Sequence, residues 1–324
     1  MQVFRHLPNH PCPPIALAIG NYDGVHLGHQ ALLVDLVQVA LQKYLTSAVM
    51  TFEPHPREFF SPQDAPTRLT TLREKLELFD AAGINKVFVC SFNARFAQIS
   101  AQDFMHKILT KSLNVKSILV GDDFRFGAKR AGTLADMTAA GFDLIKQPQV
   151  DLDGQRVSST RVRKALAHGN LTIAKSLLGR AYSISGKVVH GAKRGRQLGF
   201  PTANIHMRHE RPALNGVYAV KLRFRNSSAQ FMANQLDFLP AGDTCIINSV
   251  ANLGVRPTIS GIPKLLLEVH ALNFTGDLYG QHVQVQFLHK LRDEMKFDGL
   301  DALKAQIGHD VEQAKIYFGN LEFG

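Results

Sequence analysis

Cysteine is scarce in this chain of 324 residues: Cys12, Cys90 and Cys245 are odd in number and far apart. That count excludes a disulfide framework and a four-cysteine zinc site and points to a reducing compartment, so a cytoplasmic location is expected. Long apolar runs are missing too. No stretch reaches the roughly 18–20 apolar residues that span a bilayer, and Met1–Pro8 lacks the apolar segment of a secretory signal, so no membrane partner is expected. No G-x-x-x-x-G-K-S/T phosphate loop occurs: Gly186-Lys187 is followed by Val188. There is no H-E-x-x-H pattern for a zinc hydrolase either. The net charge of +10 favours anionic partners. However, the chain has no long Lys/Arg run and no zinc-finger, RRM or KH signature. Small phosphorylated ligands are therefore expected rather than nucleic acid.

What the chain does contain is the composition of an ordinary globular protein, 45% apolar and 20% charged. It is long enough for two cores. From residue 15 to about 150, strand-like and helical patterns alternate. Ile15–Ile19, 48–52, 86–90, 117–120 and 142–145 read as strands. Residues 72–82, 100–113 and 132–140 read as helices, with Ser100 as an N-cap. This alternation implies βαβ units and a parallel, Rossmann-like sheet. A helix begins near Ser158, and another covers Leu171–Leu178. After about 180 the texture changes to strands at 182–189, 217–224, 244–250, 265–272 and 282–288, which read as a small antiparallel β-barrel or sandwich. A terminal helix is expected over 300–318. The division is placed at 1–180 and 181–324, and Asn226 to Asp243 reads as a surface loop.

The chain is organised around Gly20-Asn21-Tyr22-Asp23-Gly24-Val25-His26-Leu27-Gly28-His29. It joins the apolar strand at 15–19 to a helical pattern, so it is a strand-to-helix turn whose glycines admit close backbone approach. A helix start offers free N–H groups and a positive dipole end, a seat for phosphate. His26 and His29, three apart, share a face of the first turn. Packing and capping remain the alternative role for both.

Three further strings belong to this half: Thr51-Phe52-Glu53-Pro54-His55-Pro56, Gly121-Asp122-Asp123-Phe124-Arg125-Phe126-Gly127 and Ser158-Ser159-Thr160-Arg161-Val162-Arg163. The second half carries Gly191-Ala192-Lys193-Arg194-Gly195-Arg196-Gln197-Leu198-Gly199, a basic glycine-rich loop able to wrap phosphate with its backbone. It runs into Phe200-Pro201-Thr202-Ala203-Asn204. Thr202 and Asn204 face the same way in an extended segment, and their neutral oxygens suit Mg²⁺. Leu265-Leu266-Leu267-Glu268-Val269-His270 sets one carboxylate in an apolar strand, either surface-facing or functional. Asn252-Leu253-Gly254-Val255-Arg256-Pro257-Thr258 and the run Phe287 to Glu294 complete the set.

Together these strings resemble the bacterial bifunctional riboflavin kinase/FAD synthetases over nearly the whole chain. D-G-V-H-x-G-H is similar to the adenylyltransferase signature of that family, and G-R-x-L-G-F-P-T-A-N to its kinase signature. The resemblance implies phosphorylation of riboflavin by ATP with Mg²⁺ to FMN, then adenylylation of FMN by a second ATP to FAD. It implies that His26 and His29 donate to ATP phosphates. Gly20, Asp23, Gly28, Asp123, Ser159, Thr160 and Arg163 are implied to bind the nucleotide, and Phe124 and Phe126 to line the flavin or adenine pocket. In the kinase it implies Glu268 as general base and Gly191, Lys193, Gly195, Arg196, Gly199, Thr202 and Asn204 on ATP. Thr202 and Asn204 would also hold the metal, with Asn252 and Arg292 near flavin. Two features depart from the family pattern: Tyr22 stands where Phe is common, and Asn226 to Asp243 is long. Two other readings stay open: a different H-x-G-H nucleotidyltransferase with a non-catalytic second domain, and a basic nucleic-acid binder.

Overall fold

A computed structural model describes residues 1–8, 12–191, 199–207, 211–225, 244–256 and 264–322. The expected loop from Asn226 to Asp243 lies outside them. The chain divides into two compact units, Met1–Ser159 and Thr160–Gly324. Between that boundary and residue 180 lie the two helices Ser159–Ala167 and Leu171–Leu178, the second of which packs on a strand of the barrel.

The first unit holds a six-stranded parallel sheet in the order β1-β4-β3-β2-β5-β6. The strands are β1 Gln2–Phe4, β2 Ile15–Ile19, β3 Thr46–Glu53, β4 Lys86–Ser91, β5 Val115–Gly121 and β6 Asp143–Gln147. β2 sits at the centre and is apolar at every position, because both faces are covered. Ile15, Leu17 and Ile19 enter one core with Phe104, Ile108 and Leu109. Ala16 and Ala18 enter the other, against Leu33 and Leu36 of α1 (Leu27–Gln42) and Leu76 and Phe79 of the helix Leu72–Ala81. Small residues on that face let α1 approach closely. Sequence order turns back between β2 and β5, and such a switch point opens a crevice at the carboxyl ends of the strands. The histidine turn follows β2, and Gly121–Gly127 follows β5.

Three elements differ from expectation. Three-residue β1 has too little pattern to read, and it pairs with β4 alone. The helix capped by Ser100 is wound wide over Phe104–Ser112, with Leu113 N–H reaching back five residues to the Ile108 carbonyl. The hairpin of β7 (Asp151–Leu152) and β8 (Gln155–Arg156) turns through Asp153 and Gly154, both at positive φ.

The second unit is a closed antiparallel barrel in the order β10-β13-β12-β11-β14-β9. Its strands are β9 Ser183–Val189, β10 Ala203–Met207, β11 Gly216–Arg225, β12 Thr244–Arg256, β13 Lys264–Ala271 and β14 His282–Arg292. Closure removes the free edges and settles barrel over sandwich. β12 and β14 run longer than read, because their ends pair with neighbours far away in sequence. β10, expected only as an extended motif, is a barrel strand. The terminal helix Leu300–Glu322 packs Val311, Ala314 and Phe318 against Val217, Ala219 and Val250. Among the described residues no helix is long and apolar enough to cross a membrane.

Candidate active sites

The turn after β2 is strained. Tyr22, Gly24 and Val25 stand at φ 51°, 85° and 41°, and a β-branched residue in that region is a genuine outlier. Such strain, of order 1–3 kcal/mol per residue, persists only where neighbours over-determine it. They do so here. The Asp23 carboxylate accepts from the N–H groups of Leu69 and Thr70 at 2.9 and 3.1 Å. Gly24 N–H donates to the Thr70 hydroxyl at 3.0 Å, Ser159 Oγ donates to the Asp23 carbonyl at 2.8 Å, and the Gln30 amide donates to the Val25 carbonyl at 2.8 Å. Tyr22 is fully buried, edge-on to Phe79. Its hydroxyl faces no hydrogen-bond partner among the described residues, and burial holds its pKa above the ordinary value.

This frame delivers the two histidines. His26 occupies the N-cap position of α1, and His29 lies in the first turn. Their rings stack at 3.8 Å between centroids and 16° between planes. A Cβ on Gly28 would lie 3.3 Å from the His26 ring, so glycine lets that ring lie flat on the backbone. No acidic residue offsets the first-turn N–H groups. Burial, then the neighbouring His26, Lys75 and Arg156, holds the His29 pKa well below the usual imidazole value. Its ring is therefore neutral at pH 7, with one N–H to donate. Its Nδ1 is buried without a partner among the described residues.

The other expected residues of this half have different surroundings. Gly20 donates from its N–H to the Met50 carbonyl and lies beside the Tyr22 ring. Asp23 and Ser159 brace the turn from within, as described. Asp123, 70% exposed in its side chain, pairs with Arg156 at 3.2 Å. Phe126 is buried in the core against Phe104, and Phe124 stacks on it at 5.9 Å. Thr160 and Arg163 follow on the helix that opens the second unit. His55 caps the short helix Pro56–Phe60, with Nδ1 accepting from Arg57 N–H at 3.1 Å. A cavity of about 520 Å³ at the ends of β1 and β4, lined by Arg5, His6, Cys90 and Phe96 among others, includes no residue of the histidine turn. Lys75 is the buried group that sequence reading passed over.

In the barrel, register does the assembling. Asn204 on β10 stands opposite Glu268 on β13, and Glu268 stands opposite Asn252 on β12. Directly opposed residues point to one face, with Cβ atoms roughly 4.5–5.5 Å apart. The alternate residues Leu267, Val269, Ala251 and Leu253 are buried. A Cβ on Gly191 would meet the Asn204 amide at 2.2 Å, so only glycine leaves that amide its place. The His270 ring Nδ1 bonds the Pro201 carbonyl at 2.8 Å and meets Phe200 edge-on, which holds the residues just before Thr202. Gly199 stands at φ 89°. Lys193, Gly195, Arg196 and the Pro257-Thr258 pair lie outside the described residues. Arg292, expected near flavin, donates to both oxygens of buried Asp310 on the terminal helix at 2.8–3.1 Å. It fastens helix to barrel. Asp310→Ala would leave a largely buried guanidinium unpaired, so the barrel is expected to lose roughly 3–5 kcal/mol, read by denaturant melting of the kinase activity.

Known proteins resemble both halves. Residues 10–161 match the FAD synthetase family model, and residues 178–318 match the riboflavin kinase model. Curated relatives share the name bifunctional riboflavin kinase/FMN adenylyltransferase. The protein from Haemophilus influenzae is 44% identical over 99% of this chain and all of its own length. That from Escherichia coli K12 is 44% identical over 97% and 96%, and that from Pseudomonas fluorescens 43% over 92% and 91%. A crystal structure from Streptococcus pneumoniae, titled a macrolide-efflux protein, superposes with a TM-score of 0.78 at 29% identity, covering 97% of this chain and 99% of that one.

Proposed function

The chain belongs to the bifunctional riboflavin kinase/FMN adenylyltransferase family, and on that premise we propose which of its residues perform each reaction. The enzyme transfers a phosphoryl group from ATP to riboflavin, giving FMN, and an adenylyl group from a second ATP to FMN, giving FAD. The signature strings divide the work between residues 1–180 and 181–324. Three free cysteines suit a reducing, cytoplasmic setting.

In adenylyl transfer an FMN phosphate oxygen bonds the α-phosphorus of ATP as the bond to pyrophosphate breaks. Charge builds on α- and β-phosphate oxygens, and donors fixed in advance lower its energy without reorganising. The observation behind this assignment is the stacked imidazole pair at the start of α1, at the sheet's switch point. His26 and His29 donate to those oxygens, and the first-turn N–H groups add a fixed dipole. Asp23 and Ser159 hold the turn that aims them.

In the kinase, Glu268 takes the proton of the riboflavin 5′-hydroxyl as its oxygen attacks the γ-phosphorus, and ADP leaves. Asn204 and Asn252 flank it. The cradle that Gly191 leaves for the Asn204 amide, with the Thr202 hydroxyl close in sequence, supplies the hard neutral oxygens that Mg²⁺ accepts beside phosphate. Among the described residues no cluster of three acidic, histidine or cysteine side chains makes a metal cage, which fits a cation held mainly by nucleotide. Bound there, Mg²⁺ would neutralise charge on the transferred phosphoryl group.

The test is chromatography of products from pure protein given riboflavin, ATP and Mg²⁺, alongside Gly191→Ala. Wild type yields FMN and then FAD. The variant pushes the Asn204 amide aside, and displacement of about 1 Å costs on the order of 10²-fold in rate. FAD formation from supplied FMN stays unchanged. Wild-type kinase rates in Gly191→Ala remove the cradle from the mechanism.

A further inference from the structure

The helix Leu72–Ala81 turns a lysine inward. Lys75 is 5% exposed. Its ammonium has three donors to place, yet it makes one long hydrogen bond, 3.4 Å to the Asn21 carbonyl in the histidine turn. Among the described residues it forms no ion pair. The neighbouring carboxylates are already engaged: Glu53 and Glu58 hold Arg68, and Asp23 receives the amides of Leu69 and Thr70.

Two buried acceptors, Asn21 Oδ1 and Glu53 Oε2, receive no donor among the described residues. A lysine serving only to knit the interior would satisfy them. A buried cation without a contact ion pair is costly; burial lowers its pKa, Glu53, Asp23 and Glu58 pull it back up, and Arg68 pushes it down. The groups facing it are Asp23 and Asn21 of the turn, Glu53 of β3, Glu58 of the short helix, Arg68, and His29 of α1. None of these carboxylates reaches Lys75 as a contact partner among the described residues, so its remaining donors are open to the oxygens of a polyphosphate.

We propose that Lys75 is a positioning residue for adenylyl transfer: its ammonium fixes the Asn21 carbonyl of the strained turn, and its unused donors and charge favour the triphosphate and departing pyrophosphate beside His26 and His29. This rests on the reading of the histidine turn as the adenylyl-transfer site.

The test compares Lys75→Gln with Lys75→Arg. Glutamine keeps a neutral donor on a chain one bond shorter and carries no charge; arginine keeps the charge. FMN-to-FAD turnover is expected to fall about 10²-fold in Lys75→Gln, chiefly in kcat, and to stay within about tenfold of wild type in Lys75→Arg. FMN formation by the same chain serves as the control. Calorimetry with inorganic pyrophosphate is expected to show about tenfold weaker binding to Lys75→Gln. An NMR titration should show the His29 pKa rising, since Lys75 is one of the charges that depress it. Full activity in Lys75→Gln while His29→Ala is impaired overturns the lysine proposal and leaves the site reading intact; full activity in both overturns the site reading. Should Lys75→Gln fail to fold, the wild-type Lys75 ammonium signal is followed during pyrophosphate addition. A shift supports the proposal, and an unmoved signal at saturation refutes it.

Discussion

His29→Ala is expected to lower FAD formation from supplied FMN by 10²–10³-fold, the usual cost of one donor aimed at developing oxyanion charge. The ring is neutral, so the effect comes from a directed N–H and not from a mobile positive charge. The loss should fall on kcat more than on the KM for ATP, because the bond strengthens as charge moves onto the leaving pyrophosphate. Riboflavin phosphorylation by the same preparation should not change. An Nδ1 without a partner among the described residues and the stacked geometry with His26 support the donor role over mere packing. An alanine variant with wild-type FAD synthesis would leave the histidine as filler.

Glu268→Gln is expected to reduce FMN formation by 10²–10⁴-fold, the contribution of a positioned general base, while conversion of supplied FMN to FAD proceeds at the wild-type rate. The amide keeps the size and most hydrogen bonds of the acid, so the strand pairing with Asn204 and Asn252 should survive. What is lost is the place for the hydroxyl proton. Assaying each half-reaction separately decides the matter. A parallel fall in both activities, with the fold intact, would argue against independent sites.

Much of this was legible in the sequence, and the parts that were not share a cause. The histidine turn is written in ten consecutive residues, so strand, turn and helix start could all be read locally. Ser100 and Gly179 mark helix ends for the same reason. Lys75 was hidden because Arg73-Glu74-Lys75 looks like solvated charge. Its spacing from Leu72, Leu76 and Phe79 was the available signal, since it shares their inward face. Arg292 and Asp310 are 18 residues apart on a strand and a helix, and nothing local announces their pairing. The motif places Asp23 at the nucleotide; that its carboxylate also meets the backbone of residues 46 and 47 positions away is a contact that only the tertiary fold reveals.

The row formed by Asn204, Glu268 and Asn252 also bears on how such a gene can change. Because successive side chains on a strand alternate sides, inserting a single codon within 264–267 would set Leu267 opposite Asn204 and Asn252 in place of Glu268, and deleting one would set Val269 there. Length variation is thus confined to the connections between strands, and descendants of this sequence should differ there while the rungs themselves keep their spacing.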